Sequence, residues 1–484
     1  MKIQVPKEVL ATVITLENAG FEAHIVGGAV RDVFLQRPTH DWDFTTNAQP
    51  EEIQALFPES FYENSFGTVG VAREHIWEQL QSSHVEFAKS DNWVFEITTY
   101  RTEGVYRDSR RPEAVEWGKT VQEDLKRRDF TMNAIAFRVT DWKESSSLLE
   151  NFATAPDEIT VTVQVIDPFE GVKAIQEHRI VAVGDPTIRF EEDALRMLRG
   201  VRFAAQLQFS IDQMTLIALQ KHADRIQNIS FERIRDEFLQ ILVTDNVEDA
   251  MTILYTTGLL KHIIPELLET RGIDQRGHHE HDVWLHSLRA CQLCPSNDPV
   301  VRLAALLHDI AKPETQKPLP HSDGEFSFYN HEVIGARTAR DIARRLRLSK
   351  NDVQRIFILV RWHMFHYQPD MTDSAIRRFI RRIGHENIDD IMALREGDRL
   401  GSGSKRTSWR LEEMKERIDA ELNQPMQIKD MAVDGEDVMR ILDIPPGPRI
   451  GQVLRDLFEE VFEDPQKNDR EQLLRRLEEM KERV

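Results

Sequence analysis

The sequence lacks the features that are typical of membrane proteins and of proteins from oxidising compartments. Its 484 residues include two cysteines, Cys291 and Cys294. A lone CxxC without other ligands at zinc spacing predicts reduced helix residues rather than a disulfide framework. No run of 18 apolar residues occurs, so no transmembrane helix is expected. The chain also does not start with a basic region followed by an apolar stretch, so no signal peptide is expected. These absences predict a cytoplasmic protein.

The sequence also lacks an excess of positive charge, because it has 62 lysines and arginines against 82 aspartates and glutamates and a formal net charge of -20. Taken alone, this value argues against a nucleic-acid partner. The distribution argues differently, because residues 101–128 contain eight lysines and arginines and residues 337–382 are rich in arginine. A local basic track can bind a phosphate backbone. The length and the 40% apolar content predict several domains with cores of their own.

The most informative stretch is IVGGAVRDVFLQRPTHDWDFTT, residues 25–46. Gly27 and Gly28 predict a turn that lets backbone approach a phosphate. Asp41 and Asp43 are one residue apart, so on a strand their side chains point to the same face. Mg²⁺ prefers hard oxygen ligands and often shares a site between carboxylates and substrate phosphates. The combination predicts nucleotidyl or phosphoryl transfer with Mg²⁺.

Two later stretches are rich in arginine. In LKRRDFTMNAIAF, Arg127 and Arg128 precede an apolar run, where they can hold a triphosphate or form a surface salt bridge. In EDALRMLRGVRF, four charged residues recur every three positions and predict a stripe on one helix. They are Asp193, Arg196, Arg199 and Arg202. A solvated helix face is the alternative, but the stripe is nearly all arginine and lies among apolar positions.

The order GGAVRD, DWDFTT, RRDFT-NA and EDALR resembles the class II nucleotidyltransferases of the polymerase β superfamily, which include tRNA CCA-adding enzymes and bacterial poly(A) polymerases. The resemblance covers roughly residues 20–260. It implies that Asp41 and Asp43 hold Mg²⁺ and that Asp193 and Arg196 read the base. It further implies nucleotide contacts from Gly28, Arg31 and Arg128, support from Asp129 and Asn133, and phosphate binding or support from Arg199 and Arg202.

The base-reading role has a chemical reason. C and A both present an exocyclic amine beside a ring acceptor, whereas U and G present the reverse pattern. One carboxylate and one guanidinium can therefore accept CTP and ATP and reject UTP and GTP.

The later part of the chain resembles the HD superfamily in the order of its ligands. His286, His308-Asp309 and Asp398 follow the H…HD…D order. Such residues can bind a divalent transition metal, and His331 and His363 could supply a second one. This part could hydrolyse terminal or cyclic phosphates of RNA, or it could be a metal-stabilised scaffold that binds tRNA. A separate group, His278, His279 and His281, is expected to lie in a loop.

The predicted fold is α+β, with a polymerase β-like head of mixed sheet and helices followed by an all-helical neck, HD domain and tail. The predicted boundaries are 1–165 for the head, 166–270 for the neck, 271–406 for the HD domain and 407–484 for the tail. Residues 101–118 are expected to form a loop beside the site, and residues 141–165 a loop insert. No strand pairs are expected after about residue 190. The last 16 residues are expected to form a solvent-exposed amphipathic helix.

The expected function is addition of CCA from CTP and ATP to the 3′ end of tRNA, without a template and with release of pyrophosphate. The full-length loop at residues 101–118 favours addition of CCA or of A alone over addition of CC alone. The alternatives are a single-specificity tRNA enzyme, a poly(A) polymerase, an HD metallophosphohydrolase with a nucleotide-sensing head, and a non-catalytic RNA-binding protein. The sequence does not indicate an oligomeric state.

Overall fold

The computed structural model describes residues 1–39, 41–63, 67–81, 93–102, 117–145, 155–275, 281–319 and 326–482. The chain forms two compact units, residues 1–263 and 264–484. Within the described ranges, no helix is both long enough and apolar enough to cross a membrane. The four-domain division remains a prediction.

A mixed eight-stranded sheet forms the centre of the first unit, in the order β1-β8-β7-β2-β3-β6-β5-β4. Strands β3 and β6 are parallel, and the other neighbours are antiparallel. The strands are β1 (Lys2–Pro6), β2 (Ala23–Val26), β3 (Asp43–Thr46), β4 (Phe61–Glu63), β5 (Thr68–Ala72), β6 (Val94–Thr99), β7 (Ala136–Val139) and β8 (Glu158–Ile166). The predicted mixed sheet with helices is confirmed.

Helices cover this sheet and continue beyond it. They are α1 (Lys7–Asn18), α2 (Gly28–Phe34), α3 (Pro50–Leu56), α4 (Arg73–Gln81), α5 (Val121–Lys126), α6 (Trp142–Ser145), α7 (Gly171–Gln176), α8 (Pro186–Glu192), α9 (Leu195–Leu207), α10 (Gln213–His222), α11 (Phe231–Leu242), α12 (Val247–Thr256) and α13 (Leu260–Ile263). Helix α1 buries Val9, Val13 and Leu16 in the core of the sheet. These residues follow the helical spacing that the sequence showed.

The prediction that residues 141–165 form a loop insert is wrong from residue 158 onward, where β8 begins. Residues Ile159, Val161 and Val163 are buried and alternate with more exposed neighbours, as a half-buried strand requires. This strand pairs with both β1 and β7. The alternating apolar residues are visible in the sequence, but the prediction treated them as one loop with the polar residues that precede them. Residues 146–154 lie outside the described part of the chain.

The second unit is mainly helical. Its helices are α14 (Val283–Leu293), α15 (Pro299–Leu307), α16 (Lys312–Thr315), α17 (His331–Arg345), α18 (Lys350–Trp362), α19 (Asp373–Ile383), α20 (Ile388–Gly401), α21 (Trp409–Glu421), α22 (Gly435–Leu442), α23 (Pro448–Glu463) and α24 (Arg470–Glu482).

The prediction that no strand pairs occur after about residue 190 is wrong, because two short pairs are present. Strand β9 (Arg179–Ile180) pairs with β10 (Ser210–Ile211), and β11 (Lys317–Pro318) pairs with β12 (Phe326–Ser327). Each strand has two residues, which is too short to show a period in the sequence.

The last helix also differs from its prediction as a solvent-exposed element. Helix α24 buries Leu473 and Leu477 in a small core that includes Leu457 and Phe462 from α23. Its first residue, Arg470, donates to Asp437 on α22 at 2.7 Å. The helix is amphipathic as predicted, but its apolar face is covered by the two preceding helices.

Candidate functional site

The turn between β2 and α2 brings two charged side chains close to the backbone. Gly27 has φ +77°, a conformation that residues with a side chain rarely adopt. A Cβ atom there would lie 2.9 Å from Oδ2 of Asp43 and 3.6 Å from a terminal guanidinium nitrogen of Arg128. Glycine at this position therefore allows a carboxylate, an arginine and the turn to share one small space.

The paired carboxylates lie at the start of β3. Asp43 is its first residue, and Asp41 precedes it in an extended segment with buried Trp42 between them. Burial raises the pKa of Asp43 to about 7, and the nearby carboxylates of Asp41 and Glu96 add to the rise. A concentration of negative charge of this kind fits a divalent cation, which neutralises it.

Glu96 was missed in the sequence. It lies on β6 directly beside Asp43 in the parallel register of β3 and β6. Phe95 and Ile97 on either side of it are fully buried on the opposite face, whereas Glu96 is exposed. In the sequence it therefore looks like the polar face of a half-buried strand, and its register beside Asp43 is what brings it to the site.

A buried aspartate holds the two arginines that follow α5. Asp124 is fully buried and accepts from Arg127 at 2.7 Å and from Arg128 at 3.2 Å. Burial would raise the pKa of Asp124, but the two guanidinium groups lower it below its ordinary value. The sequence analysis placed Arg127 and Arg128 at the site and did not identify Asp124 as their common partner.

A second chain of contacts links α2, the segment after α5, and α9. Arg31 donates to the side-chain oxygen of Asn133 at 3.1 Å, and the amide of Asn133 donates to Asp129 at 3.3 Å. Arg199 donates to the other oxygen of Asp129 at 2.7 Å. Burial would raise the pKa of Asp129, but Arg199 and the hydrogen bonds lower it to about 2. This carboxylate is therefore ionised and fixes the orientation of Arg199.

Asp193 does not lie on the helix that carries the arginine stripe, which corrects the prediction of one continuous stripe. Helix α8 ends at Glu192, and Asp193 adopts an extended conformation before α9 begins at Leu195. One oxygen of Asp193 accepts from the backbone N–H of Leu195 at 3.0 Å, and the other accepts from Arg233 at 2.8 Å.

Arg196 is held by different partners. It donates to Glu192 at 2.6 Å and to the backbone carbonyl of Arg127 at 2.9 Å. Asp193 and Arg196 therefore have different partners, because the helix break turns Asp193 toward Arg233. Both side chains nevertheless line the same cavity.

Helix α11 supplies two contacts that the sequence analysis missed. Arg233 binds Asp193, and Glu237 accepts from Arg202 at 2.6 Å. The two residues are four positions apart on an amphipathic helix, so they lie on one face. That spacing of opposite charges was the signal available in the sequence.

The described residues predicted for nucleotide binding come together around a cavity of about 600 Å³. They are Gly28, Arg31, Asp41, Asp43, Arg128, Asp129, Asn133, Asp193, Arg196, Arg199 and Arg202. Of the predicted loop beside this cavity, residues 103–116 lie outside the described part of the chain.

The second unit contains a separate buried cluster. His286 on α14 lies 3.0 Å from His308, 3.3 Å from Asp309 and 3.3 Å from Asp398 on α20. Helices α14 and α20 can approach closely because α20 has glycine at positions 397 and 401, where a Cβ would lie within 2.9 Å of α14 backbone. The four ligands predicted for the HD site are thus brought together.

His331 and His363 complete this cluster. They lie 3.4 Å apart, and His331 lies 3.3 Å from Asp309. Burial lowers the pKa of His363 to about 3, so its imidazole is neutral and able to act as a ligand. Four of its members, Asp309, His331, His363 and Asp398, line a cavity of about 840 Å³. His281 lies in a bend before α14, and His278 and His279 lie outside the described residues.

Comparisons with known proteins match three consecutive parts of the chain. Residues 23–181 match the poly A polymerase head domain, and residues 208–270 match the probable RNA and SrmB-binding site of polymerase A. Residues 278–398 match the HD domain. A CCA-adding enzyme of Anoxybacillus flavithermus is 29% identical over 470 residues, which cover 96% of this chain and 95% of that relative.

These matches confirm the predicted resemblance to the tRNA nucleotidyltransferase and poly(A) polymerase family. The protein is a nucleotidyltransferase. A CCA-adding enzyme of Lactobacillus helveticus is 40% identical to this nucleotidyltransferase over 250 residues, which are 51% of this chain and 53% of the relative.

Solved structures agree with this assignment. The Bacillus stearothermophilus CCA-adding enzyme in complex with CTP has a TM-score of 0.66 and 25% identity, covering 99% of this chain and 98% of that one. A Thermotoga maritima CCA-adding enzyme complexed with tRNA has a TM-score of 0.52 at 18% identity over 99% of each chain, and it supports the fold alone. Nucleotidyltransferase and HD domains of these families use divalent metals.

Proposed function

We propose that this nucleotidyltransferase adds CCA to the 3′ end of tRNA, using CTP and ATP and no template. The observation that carries the proposal is a single cavity in which Asp41 and Asp43 face an arginine cluster, Asp193 and Arg196. The relatives named CCA-adding enzymes support the choice of substrate. Because the tRNA and both nucleotides are cytoplasmic substrates, we place the enzyme in the cytoplasm.

Asp41 and Asp43, with Glu96 beside them, would hold Mg²⁺. The bound ion would neutralise phosphate charge and lower the pKa of the attacking hydroxyl. Arg128 is the arginine next to the glycine turn, 3.6 Å from the position of a Cβ on Gly27, and would donate to the triphosphate with Arg31. The 3′-hydroxyl oxygen attacks the α-phosphorus, and pyrophosphate leaves as the bond to the β-phosphate oxygen breaks.

Asp193 and Arg196 would read the base. Oδ1 of Asp193 accepts from the backbone N–H of Leu195 at 3.0 Å and from Arg233 at 3.5 Å, and Oδ2 accepts from Arg233 at 2.8 Å, so the plane of the carboxylate is fixed. The remaining lone pairs can accept from the amino group of C or A, and a carbonyl at that position would face a carboxylate without a donor. Arg196, fixed by Glu192, would donate to the adjacent ring acceptor. Arg199 and Arg202 would hold phosphate or support this pair.

We retain the four-domain division as part of the proposal. The head (1–165) would bind metal and triphosphate, and the neck (166–270) would select the base and contact RNA. The matches to the polymerase head and RNA-binding models lie in these two parts, with the head model extending to residue 181. The HD domain (271–406) and the tail (407–484) would form the second unit.

The test uses a tRNA transcript that ends at the discriminator base, incubated with CTP, ATP or both and resolved on a sequencing gel. We expect two added nucleotides with CTP alone and three with both. A ladder of many added residues with ATP alone would identify a poly(A) polymerase, and a single A added only to a CC end would identify an A-adding enzyme. No extension with any nucleotide would overturn the proposal.

A second activity, hydrolysis of phosphate esters, is proposed for the HD unit. Its support is the buried His and Asp cluster at the wall of a cavity of about 840 Å³. A metal-stabilised scaffold would need the cluster but no cavity beside it. Release of inorganic phosphate from terminal or cyclic phosphates of RNA would be measured in the presence of transition metals.

A further inference from the structure

We propose that the sheet face beyond the paired carboxylates is the subsite for the 3′-terminal nucleotide of the RNA. Phe61 stacks on the base of that nucleotide, and Arg101 binds a backbone phosphate. This assignment rests on the CCA addition proposed above for the reaction, but the contacts themselves can be measured without turnover.

The order of the strands separates the two substrates on either side of Asp43. Asp43 pairs with Val26 on β2, directly before the glycine turn, and with Glu96 on β6. The triphosphate is assigned to the side of the glycine turn, where Arg31 and Arg128 line the cavity. In phosphoryl transfer the attacking and leaving oxygens lie roughly in line. The 3′-hydroxyl therefore approaches from the β6 side of the carboxylates.

One face of the sheet continues from β6 to the edge strand β4. Glu96 on β6 is in register with Gly70 on β5, and Gly70 is in register with Phe61 on β4. Residues in register on neighbouring strands point to the same face. Thr98 and Thr68 form the next row on this face, and their hydroxyl oxygens are 3.1 Å apart. The paired carboxylates and the edge strand therefore share one surface.

Phe61 is an exposed aromatic residue at the end of this surface. A Cβ on Gly70 would collide with its ring, so the ring lies across β5. The side chain is nevertheless 55% exposed, whereas Phe95 and Ile97 are fully buried on the other face of the sheet. Proteins commonly hold single-stranded RNA by stacking unpaired bases on aromatic rings. Phe61 therefore offers a stacking platform beside the site.

The distance from Phe61 to the carboxylates suits a terminal nucleotide. Neighbouring strands lie ~4.8 Å apart, so a ring that lies across β5 is roughly 10 Å from Asp43, two strands away. When the 3′-hydroxyl oxygen is at the carboxylates, the base of the same nucleotide extends over about this distance. Because Gly70 has no side chain, the ring of Phe61 is the group that such a base would meet on β5.

Arg101 supplies positive charge on the same face. It lies two residues beyond the end of β6, and its guanidinium donates to the hydroxyl of Thr68 at 3.2 Å. Its backbone is held by a bridge to Trp117 and by a hydrogen bond to Asp124 at 3.4 Å. Arg101, Thr68 and Thr98 line the same cavity as the carboxylates. A fixed cation here complements a phosphate of the RNA strand that ends at Asp43.

The base contact is tested with the full chain and a short single-stranded pyrimidine RNA that carries 2-aminopurine at its 3′ end. The fluorescence of this base falls when it stacks. We expect quenching by the unsubstituted chain and by Phe61→Tyr, which keeps a ring. Phe61→Leu should lose most of the quenching and weaken binding about tenfold. Ile188→Ala, which truncates a 48% exposed apolar residue on α8 in the same unit, is the matched control.

The phosphate contact is tested by the salt dependence of RNA binding. Arg101→Gln removes the charge and keeps a donor for Thr68. Loss of one phosphate contact on a single strand lowers the slope of log affinity against log salt concentration by about 0.7. We expect this change in Arg101→Gln and an unchanged slope in Arg101→Lys. An unchanged slope in Arg101→Gln would overturn the phosphate contact.

Steady-state incorporation on tRNA separates the RNA subsite from the nucleotide site. Phe61→Leu should raise KM for tRNA about tenfold and leave KM for CTP unchanged. The assignment of Phe61 would be overturned by equal quenching and equal KM for tRNA in Phe61→Leu and Phe61→Tyr, or by a lack of quenching in the unsubstituted chain. Quenching that depends on Phe61, without extension of any RNA by any nucleotide, would support the RNA subsite and refute CCA addition.

Discussion

Asp124→Asn tests whether one buried carboxylate keeps two arginines of the proposed nucleotide site, Arg127 and Arg128, in place. The substitution preserves shape and removes the charge that Arg127 and Arg128 share at 2.7 and 3.2 Å. Hydrogen bonds to charged groups contribute ~1.5–3 kcal/mol each, and breaking a buried ion pair costs ~3–5 kcal/mol. The arginine side chains are 24% and 18% exposed, so water compensates for part of the loss. We therefore expect a loss of about 3 kcal/mol in the stability of the first unit.

The effect on activity should fall mainly on nucleotide binding. Arg127 and Arg128 would lose their common partner, so we expect KM for both CTP and ATP to rise about tenfold or more, with a smaller change in kcat. The assay is steady-state incorporation on one tRNA, together with denaturant unfolding. Asp236→Asn is the control, because Asp236 is 65% exposed and its partner is the adjacent Arg235. If KM and stability both remained at the control level, Asp124 would not position these arginines.

Three further predictions address the two sites. Asp41→Ala or Asp43→Ala should reduce incorporation by at least ~10²-fold with unchanged circular dichroism, because each removes a charge that stabilises the transition state; near-normal incorporation would exclude the proposed metal site. Asp193→Ala should lower kcat/KM for CTP and ATP and relax rejection of UTP and GTP by ~1–3 kcal/mol, measured with all four nucleotides; unchanged selectivity would mean that the base is read elsewhere. His308→Ala with Asp309→Ala should abolish release of inorganic phosphate and leave nucleotide addition intact; loss of addition in a folded protein would contradict two independent sites.

Residues that share a short motif could be predicted from the sequence, and their distant partners could not. Asp41 and Asp43 are recognisable because they are two positions apart in one short motif, although only Asp43 lies on β3. Glu96 reaches the same site only through the parallel pairing of β3 and β6, which joins positions 53 residues apart. Arg233 likewise contacts Asp193 only because the helical conformation is interrupted between α8 and α9. The pattern of residue types along one segment does not show which distant positions will contact it.

The same limit explains the errors in the fold. Strand β8 has a clear alternation of buried residues, but its partners lie 152–160 positions away in β1 and 24–30 positions away in β7. The members of the HD cluster were predicted from their order in the sequence. Which histidines approach which oxygen of Asp309 depends on how five helical segments pack.

Helix α11 connects the residues proposed to select the nucleotide with the region that matches an RNA-binding model. Arg233 and Glu237 on this helix contact Asp193 and Arg202. If bound RNA moved α11, the free energy of nucleotide binding would change, and thermodynamic linkage requires the bound nucleotide to change RNA affinity by the same factor. Binding of the RNA end and binding of the nucleotide would thus be coupled to each other through two residues one turn apart on α11.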